Sequence, residues 1–282
     1  MEPEVTGWQA GIWGREAGTR PKMRIVLSKR GRFGEFWFNR FGFRVGKLGG
    51  LALKEVRAVF FDAVGTMLHP APAVAQAYWA AGKRFGSRLS LQEVRGRINI
   101  AFAFQEQRFA GEGHRTDEGS EEARWRGVVA DCLPDVADPQ GCFRLLHNHF
   151  ADPANWVLSP GLEGVLEKLD RLGLMLGVAS NFDARLRSVS AGFPCLSRIR
   201  HWVISSEVGW RKPASRFYDH LVAESGLPAQ SILLVGDDPV NDLEASMRAG
   251  LQGLLVRGPE CLVGLAERLT RISRIPVRET VA

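Results

Sequence analysis

The chain has 282 residues, 45% of them hydrophobic and 24% charged, enough to bury a real core as one large domain or as a domain carrying an insertion. The net charge is +6, but residues 1–57 hold 12 Lys/Arg against 5 Asp/Glu, or +7, which leaves −1 for the rest; overall basicity therefore gives no reason to expect a nucleic-acid partner. No apolar run of about 18 or more residues appears, and Cys132, Cys142, Cys195 and Cys261 lack metal-site spacing, so a reducing, cytoplasmic setting without a membrane partner is expected.

In chain order, residues 1–54 come first, basic and Gly-rich, with Trp8, Trp13 and Trp37 and a segment, RFGEFWFNRFGFR, that alternates aromatic and charged residues. Aromatics interleaved with cations can stack on single-stranded nucleic acid. No cap or helical period organises this segment, however, and it is expected to be a flexible appendage. Glu2, Glu4 and Glu16 stand where a mitochondrial presequence avoids acids.

The stretch VRAVFFDAVGTMLHP, residues 56–70, reads as a buried strand that delivers Asp62 to the edge of a sheet. Residues 71–155 offer several helical stretches instead, with starts marked by Ser90 before Leu91 and by Asp138 before Pro139. They are expected to form an all-helical cap, inserted after the first strand and placed like a lid over the ligand edge. Cys132 and Cys142 read as small core residues of that cap.

Four later runs, LMLGVASN (174–181), HWVISSE (201–207), SILLVGDD (231–238) and QGLLVRG (252–258), are short, apolar on both faces and bounded by turn residues. Strands of a doubly covered parallel sheet have this pattern. Amphipathic helices separate them: one capped by Ser159, with Pro160 at its first position and Gly173 as its stop, one after Pro213 ending near Gly226, and one after Pro239 ending at Gly250. The fold class that follows is α/β, a Rossmann-like parallel sheet with helices on both faces, built from residues 55–70 and 156–282, with the cap at 71–155.

Ligands of such sheets lie beyond the carboxyl ends of the strands. Those ends carry Asp62, Ser180 and Asn181, Glu207, then Asp237 and Asp238, with Asp242 on the next helix and Lys212 in the loop after the third strand. Clustered carboxylates with one lysine and one small hydroxyl suit a hard cation and a phosphate held together. Mg²⁺ prefers oxygen ligands and keeps waters and a phosphate oxygen, so Asp62 and Asp237 are expected to ligate, with Asp242 supporting a coordinated water.

These motifs resemble the haloacid dehalogenase superfamily over residues 56 to about 258: FFDAVGT is similar to its first motif, VASN to its second, GWRKP to its third and LLVGDDPVNDLEASMRAG to its fourth. SNFDARL, ISSEVGWRKP and RFY are especially similar to its branch containing haloacid dehalogenase-like hydrolase domain-containing protein 3. The resemblance implies a phosphohydrolase of a small phosphorylated metabolite, in which Asp62 is the nucleophile that forms an aspartyl-phosphate. Ser180 would hold the phosphoryl oxygens, with Asn181 beside it, and Lys212 would balance their charge. Mg²⁺ would be held by Asp62, the Val64 carbonyl, Asp237 and Asp242.

The departure is Val64, which replaces the second aspartate that the family's phosphatases use as general acid and base. Valine keeps the carbonyl but has no proton to transfer, so esters with poor leaving groups should suffer most. Two other readings follow. A 2-haloacid dehalogenase needs no second aspartate, although its fourth motif lacks these metal-binding acids. A non-catalytic phospholigand-binding protein on the same scaffold would have little need to keep Asp62, Ser180, Lys212 and Asp237 together. His69 is a candidate replacement acid, but its position favours the hinge into the cap.

Overall fold

The computed structural model describes residues 56–273, together with a two-residue antiparallel pair, β1 (Trp8–Gln9) and β2 (Val26–Leu27). The expected flexible appendage at 1–54 otherwise lies outside the described residues. From β3 (Ala58–Phe61) the chain enters a ribbon in which β4 (Leu68–Pro70) pairs antiparallel with β5 (Trp156–Leu158). Between the two arms lie α1 (Val74–Arg84), α2 (Leu91–Gly111), α3 (Glu118–Cys132) and α4 (Pro139–His149).

After the ribbon follow α5 (Leu162–Arg171), β6 (Met175–Ser180), α6 (Arg185–Ala191), β7 (His201–Ile204), α7 (Ser205–Val208) and α8 (Ser215–Ser225). The chain continues through β8 (Ile232–Gly236), a π-helical turn (Pro239–Glu244) leading into α9 (Ala245–Arg248), β9 (Gln252–Leu255) and α10 (Pro259–Ser273). Sheet and helical insertion belong to one compact unit, Leu53–Ala282. Among the described residues no helix is long and apolar enough to cross a membrane.

The five main strands are all parallel, in the order β7-β6-β3-β8-β9. Side chains alternate across a pleated sheet, and the two sets here enter different cores. Val59, Phe61, Leu233 and Val235 join the apolar cluster that extends to Leu162, Val165 and Leu166 of α5 and to the insertion. Ala58, Phe60, Ile232 and Leu234 pack instead on Phe217, Tyr218 and Leu221 of α8. Both faces are covered, which is why these strands are continuous apolar runs rather than alternating ones.

The order also sets the site. From central β3 the chain moves outward to β6 and β7, then crosses back to β8 on the other side of β3. Connections leave the adjacent strands β3 and β8 in opposite directions and open a crevice at their carboxyl ends. Phe61 is in register with Val235, and the Asp62 amide donates to the Val235 carbonyl at 2.8 Å, so Asp62 and Asp237 emerge side by side.

Helix starts follow the expected chemistry in the insertion. Ser90 and Glu93 form a reciprocal capping box on α2, and the Asp138 carboxylate accepts the Gly141 amide at 2.8 Å to start α4. The expected Ser159 cap is not formed: Gly161, with φ of 80°, stands at the start of α5 without a side-chain cap. Ser159 Oγ instead donates to the Thr66 carbonyl at 2.6 Å, and His69 Nε2 meets the same Oγ at 2.7 Å. Since the hydroxyl proton is spent on Thr66, His69 Nε2 is the donor, and its role here is to tie the ribbon to the first-motif turn.

The helix expected after Pro239 begins as a π-helical turn. Asp238 caps it, accepting the Val240 and Asn241 amides at 2.8 and 2.9 Å. α10, which was not legible in the sequence, packs on α5. Cys132 and Cys142 are fully buried in the insertion, as expected of core residues, and burial pushes their thiols up to about 12 and about 11.

Candidate active site

Three strand ends, one helical turn and one loop build the site. Asp62 follows β3, Ser180 ends β6 at 2% exposure, Asp237 follows β8, and Asp242 lies in the π-helical turn at 1% exposure. Lys212, also 2% exposed, reaches in from the loop before α8. Its Nζ donates to Asp62 Oδ1 at 2.8 Å, to Asp242 Oδ1 at 2.6 Å and to the Ala179 carbonyl at 2.9 Å, which spends all three of its protons.

Burial alone would depress the lysine ammonium, but the Asp242 and Asp62 carboxylates reverse this and hold its pKa above the ordinary value. Burial raises the Asp62 carboxyl to about 7 against the pull of Lys212, with Asp242 and Asp237 adding to the rise. Asp237, at the exposed mouth, is also pushed up by desolvation and by the Asp242 charge. One oxygen of each of Asp62, Asp237 and Asp242 lies within 4.8 Å of the others. A single ammonium does not balance three converging carboxylates, and the oxygen-only donor set fits a hard divalent cation.

The two acidic positions of the fourth motif differ in what they touch. Asp238 is committed to capping the π-helical turn, and its side chain also accepts from Asn241 Nδ2 at 2.8 Å. Asp242 gives one oxygen to Lys212 and the other to the Asp238 amide at 3.0 Å. Asp242 thus holds the lysine and the loop, while Asp237 accepts one bond from Thr66 Oγ1 at 3.3 Å and stays at the mouth.

Two glycines make room for these carboxylates. Gly65 has φ of 95°, and a Cβ there would stand 2.5 Å from Asp237 Oδ2; a Cβ on Gly236 would stand 2.1 Å from Asp242 Oδ2. Gly65→Ala is expected to cost about 1–3 kcal/mol of stability through backbone strain. It should also displace the Asp237 carboxylate and weaken the binding of any divalent cation held by the cluster about tenfold or more. Thermal unfolding and calorimetric Mg²⁺ titration check the two effects separately.

The structure brings together Asp62, Ser180, Lys212, Asp237 and Asp242. Asn181 is adjacent, but its side chain is spent elsewhere: Oδ1 accepts the Lys212 amide at 2.7 Å and Nδ2 donates to the Lys212 carbonyl at 2.9 Å. It clamps the lysine's backbone at both its N–H and its carbonyl. Glu207 lies outside the cluster, forked onto Arg187 by two bonds of 2.7 Å. Val64 bridges to Leu68 through its backbone, and its side chain packs against the larger apolar cluster.

A family profile described as haloacid dehalogenase-like hydrolase matches residues 56–250. Haloacid dehalogenase-like hydrolase domain-containing protein 3 of Danio rerio is 29% identical over 206 residues, 71% of this chain and 85% of that protein. Its Homo sapiens counterpart is 25% identical over 213 residues, 74% of this chain and 84% of that one. Among solved structures, the putative HAD-hydrolase of Bacillus subtilis bound to magnesium superposes with a TM-score of 0.60 at 18% identity, covering 76% of this chain and all (100%) of that one. The defluorinating L-2-haloacid dehalogenase Rha0230 also gives 0.60 at 18% identity, over 76% and 95% of the two chains. The motifs, the sheet order and the profile match over more than half of its length agree: this chain belongs to the haloacid dehalogenase-like hydrolase family.

Proposed function

We propose that the protein is a Mg²⁺-dependent phosphohydrolase acting on a small phosphorylated metabolite through an aspartyl-phosphate at Asp62. The observation that carries this reading is the convergence of Asp62, Asp237 and Asp242, the first and last of them bonded to the buried ammonium of Lys212. Three carboxylates gathered at a sheet's switch point repel one another unless a cation is shared among them. A dehalogenase displaces halide without any metal and has no use for that arrangement.

Asp62, Asp237 and the Val64 carbonyl would hold the ion, with Asp242 supporting it through Lys212 and the Asp238 amide. Bound Mg²⁺ supplies charge neutralisation for the phosphoryl oxygens. The chain's own residues do the rest. Asp62 attacks phosphorus as its ester oxygen departs, with Lys212 fixing the carboxylate through Oδ1, and Ser180 donates its hydroxyl to a phosphoryl oxygen. Water then attacks the phosphorus of the acyl phosphate, releasing inorganic phosphate and returning Asp62 as a carboxylate. Val64 can neither protonate the leaving group in the first step nor take a proton from water in the second, so substrates whose leaving group is stable as an anion, such as aryl or acyl phosphates, pass the first step best.

The test is hydrolysis of p-nitrophenyl phosphate, acetyl phosphate and a sugar phosphate, with Mg²⁺ and with chelator. Activity that disappears on chelation and returns with Mg²⁺ is expected. Halide release from 2-haloacids without metal would overturn the reading in favour of a dehalogenase, and Mg²⁺ binding without turnover of any phosphate would assign a binding role.

A further inference from the structure

A second charged cluster lies one residue away from the catalytic lysine, and nothing in the proposed reaction uses it. Arg211 is among the largest fully buried side chains, at 2% exposure, although a loop arginine ordinarily keeps its head in water. Its Nη2 donates to Glu106 Oε1 at 2.7 Å, its Nη1 pairs with Glu121, and its guanidinium lies 4.5 Å from the Phe109 ring centre. All three partners belong to α2 and α3 of the helical insertion. Arg124 completes the cluster at 2.9 Å from Glu106 and 3.7 Å from Glu121, and Thr116 Oγ1 donates to Glu121 at 2.9 Å.

Two guanidiniums and two carboxylates make the group neutral, and neutrality is the condition on which such burial is tolerated. Backbone contacts run alongside. The Arg211 amide donates to the His114 carbonyl at 2.9 Å, the Thr116 amide to Gly209 at 3.2 Å, and Arg115 forms an antiparallel bridge with Trp210. The loop between α2 and α3 is thereby stitched to residues 209–211. His114 takes a φ of 60° there, a conformation unusual for a residue with a side chain.

We propose that Arg211 is a positioning residue: its buried pairing with Glu121 and Glu106 locks the helical insertion onto the loop that carries Lys212, so that the seating of the insertion sets the lysine between Asp62 and Asp242. From one side Asn181 clamps the Lys212 backbone; from the other, through a single peptide step, the insertion does. The carboxylates are held by the sheet edge and the π-helical turn, whereas the loop carrying the ammonium is also fastened to the insertion. The consequence for turnover rests on the phosphohydrolase reading, but the mechanical coupling does not.

The test uses the full chain with Glu121→Gln, which keeps the shape and removes the charge, and Glu106→Gln, whose half-exposed site ensures a folded variant. Amide hydrogen exchange is expected to rise about tenfold in segments 114–116 and 209–212 of either variant, with β3 and β8 unchanged. Arg211→Lys should raise exchange there less than Arg211→Gln, because it retains the charge. With p-nitrophenyl phosphate, kcat should fall about tenfold with KM little moved, since the lysine acts on developing charge rather than on uptake. Unchanged exchange at 209–212, or a rise equal to that in β3 and β8, overturns the proposal. If the native chain hydrolyses no phosphate ester, the phosphohydrolase reading fails while the exchange result still decides the coupling.

Discussion

Asp62→Asn is expected to lower phosphate ester hydrolysis by about 10⁴-fold or more while leaving the fold in place. The amide is nearly the same size as the carboxylate, and the backbone of Asp62 is held by the Val235 carbonyl irrespective of the side chain. On the proposed mechanism, what is lost is the nucleophile. The same change takes one negative charge from a cluster of three carboxylates, two of which pair with the one lysine. The remaining Asp242 still pairs with Lys212, so the ammonium stays charged, and thermal stability should change little or rise. Loss of activity together with a melting temperature at or above that of the native chain is therefore the expected pair of measurements. Residual turnover above about a tenth of native would assign the nucleophile elsewhere.

Val64→Asp is expected to work in the opposite direction, raising hydrolysis of alkyl phosphates by about 10²- to 10⁴-fold, the range typical of a general acid–base group. Aryl and acyl phosphates should gain much less, because their leaving groups need no proton. The gain has a structural cost. The valine side chain is half-buried against the larger apolar cluster, and a carboxylate introduced there would lose packing and hydration worth about 1–3 kcal/mol. Comparing sugar phosphate and p-nitrophenyl phosphate rates for native chain and variant, with unfolding curves for both, separates the chemical gain from the cost. An equal change for both substrates would mean that proton transfer to the leaving group does not limit this enzyme. His69 offers no substitute acid through its Nε2, which is spent on Ser159.

The parts of this protein that were legible in its sequence are those governed by short-range chemistry. Buried parallel strands are apolar on both faces, so AVFF, MLGVAS, HWVI and ILLVG announce themselves locally, and the polar residues that end them fall at one sheet edge because all five strands are parallel. Capping is equally local, and Ser90 before Leu91, and Asp138 with Pro139, were recognisable for that reason. Asp62, the lysine and the acidic turn could be picked out by position, and the role of nucleophile came with the family resemblance.

What stayed hidden depends on residues far apart in the chain. Asp238 and Asp242 are both acids in one turn, and only the π-helical backbone and the placement of Lys212 decide that the first caps and the second pairs. Asn181 looked like a substrate ligand until Lys212, 31 residues on, took both ends of its amide. Arg211 drew no reading of its own in the sequence, since its carboxylate partners stand 105 and 90 residues earlier. One faint signal existed: Glu121 and Arg124 share the face of α3 that Val128 and Cys132 bury, which is an odd place for charges without partners. By itself the sequence determined the elements, the sheet edge and the chemistry gathered there, because those follow from backbone periodicity and residue type. Tertiary structure alone decided which carboxylate pairs with the lysine and how the insertion is fastened beside it, because ion pairs depend on distances in space that separation along the chain does not encode.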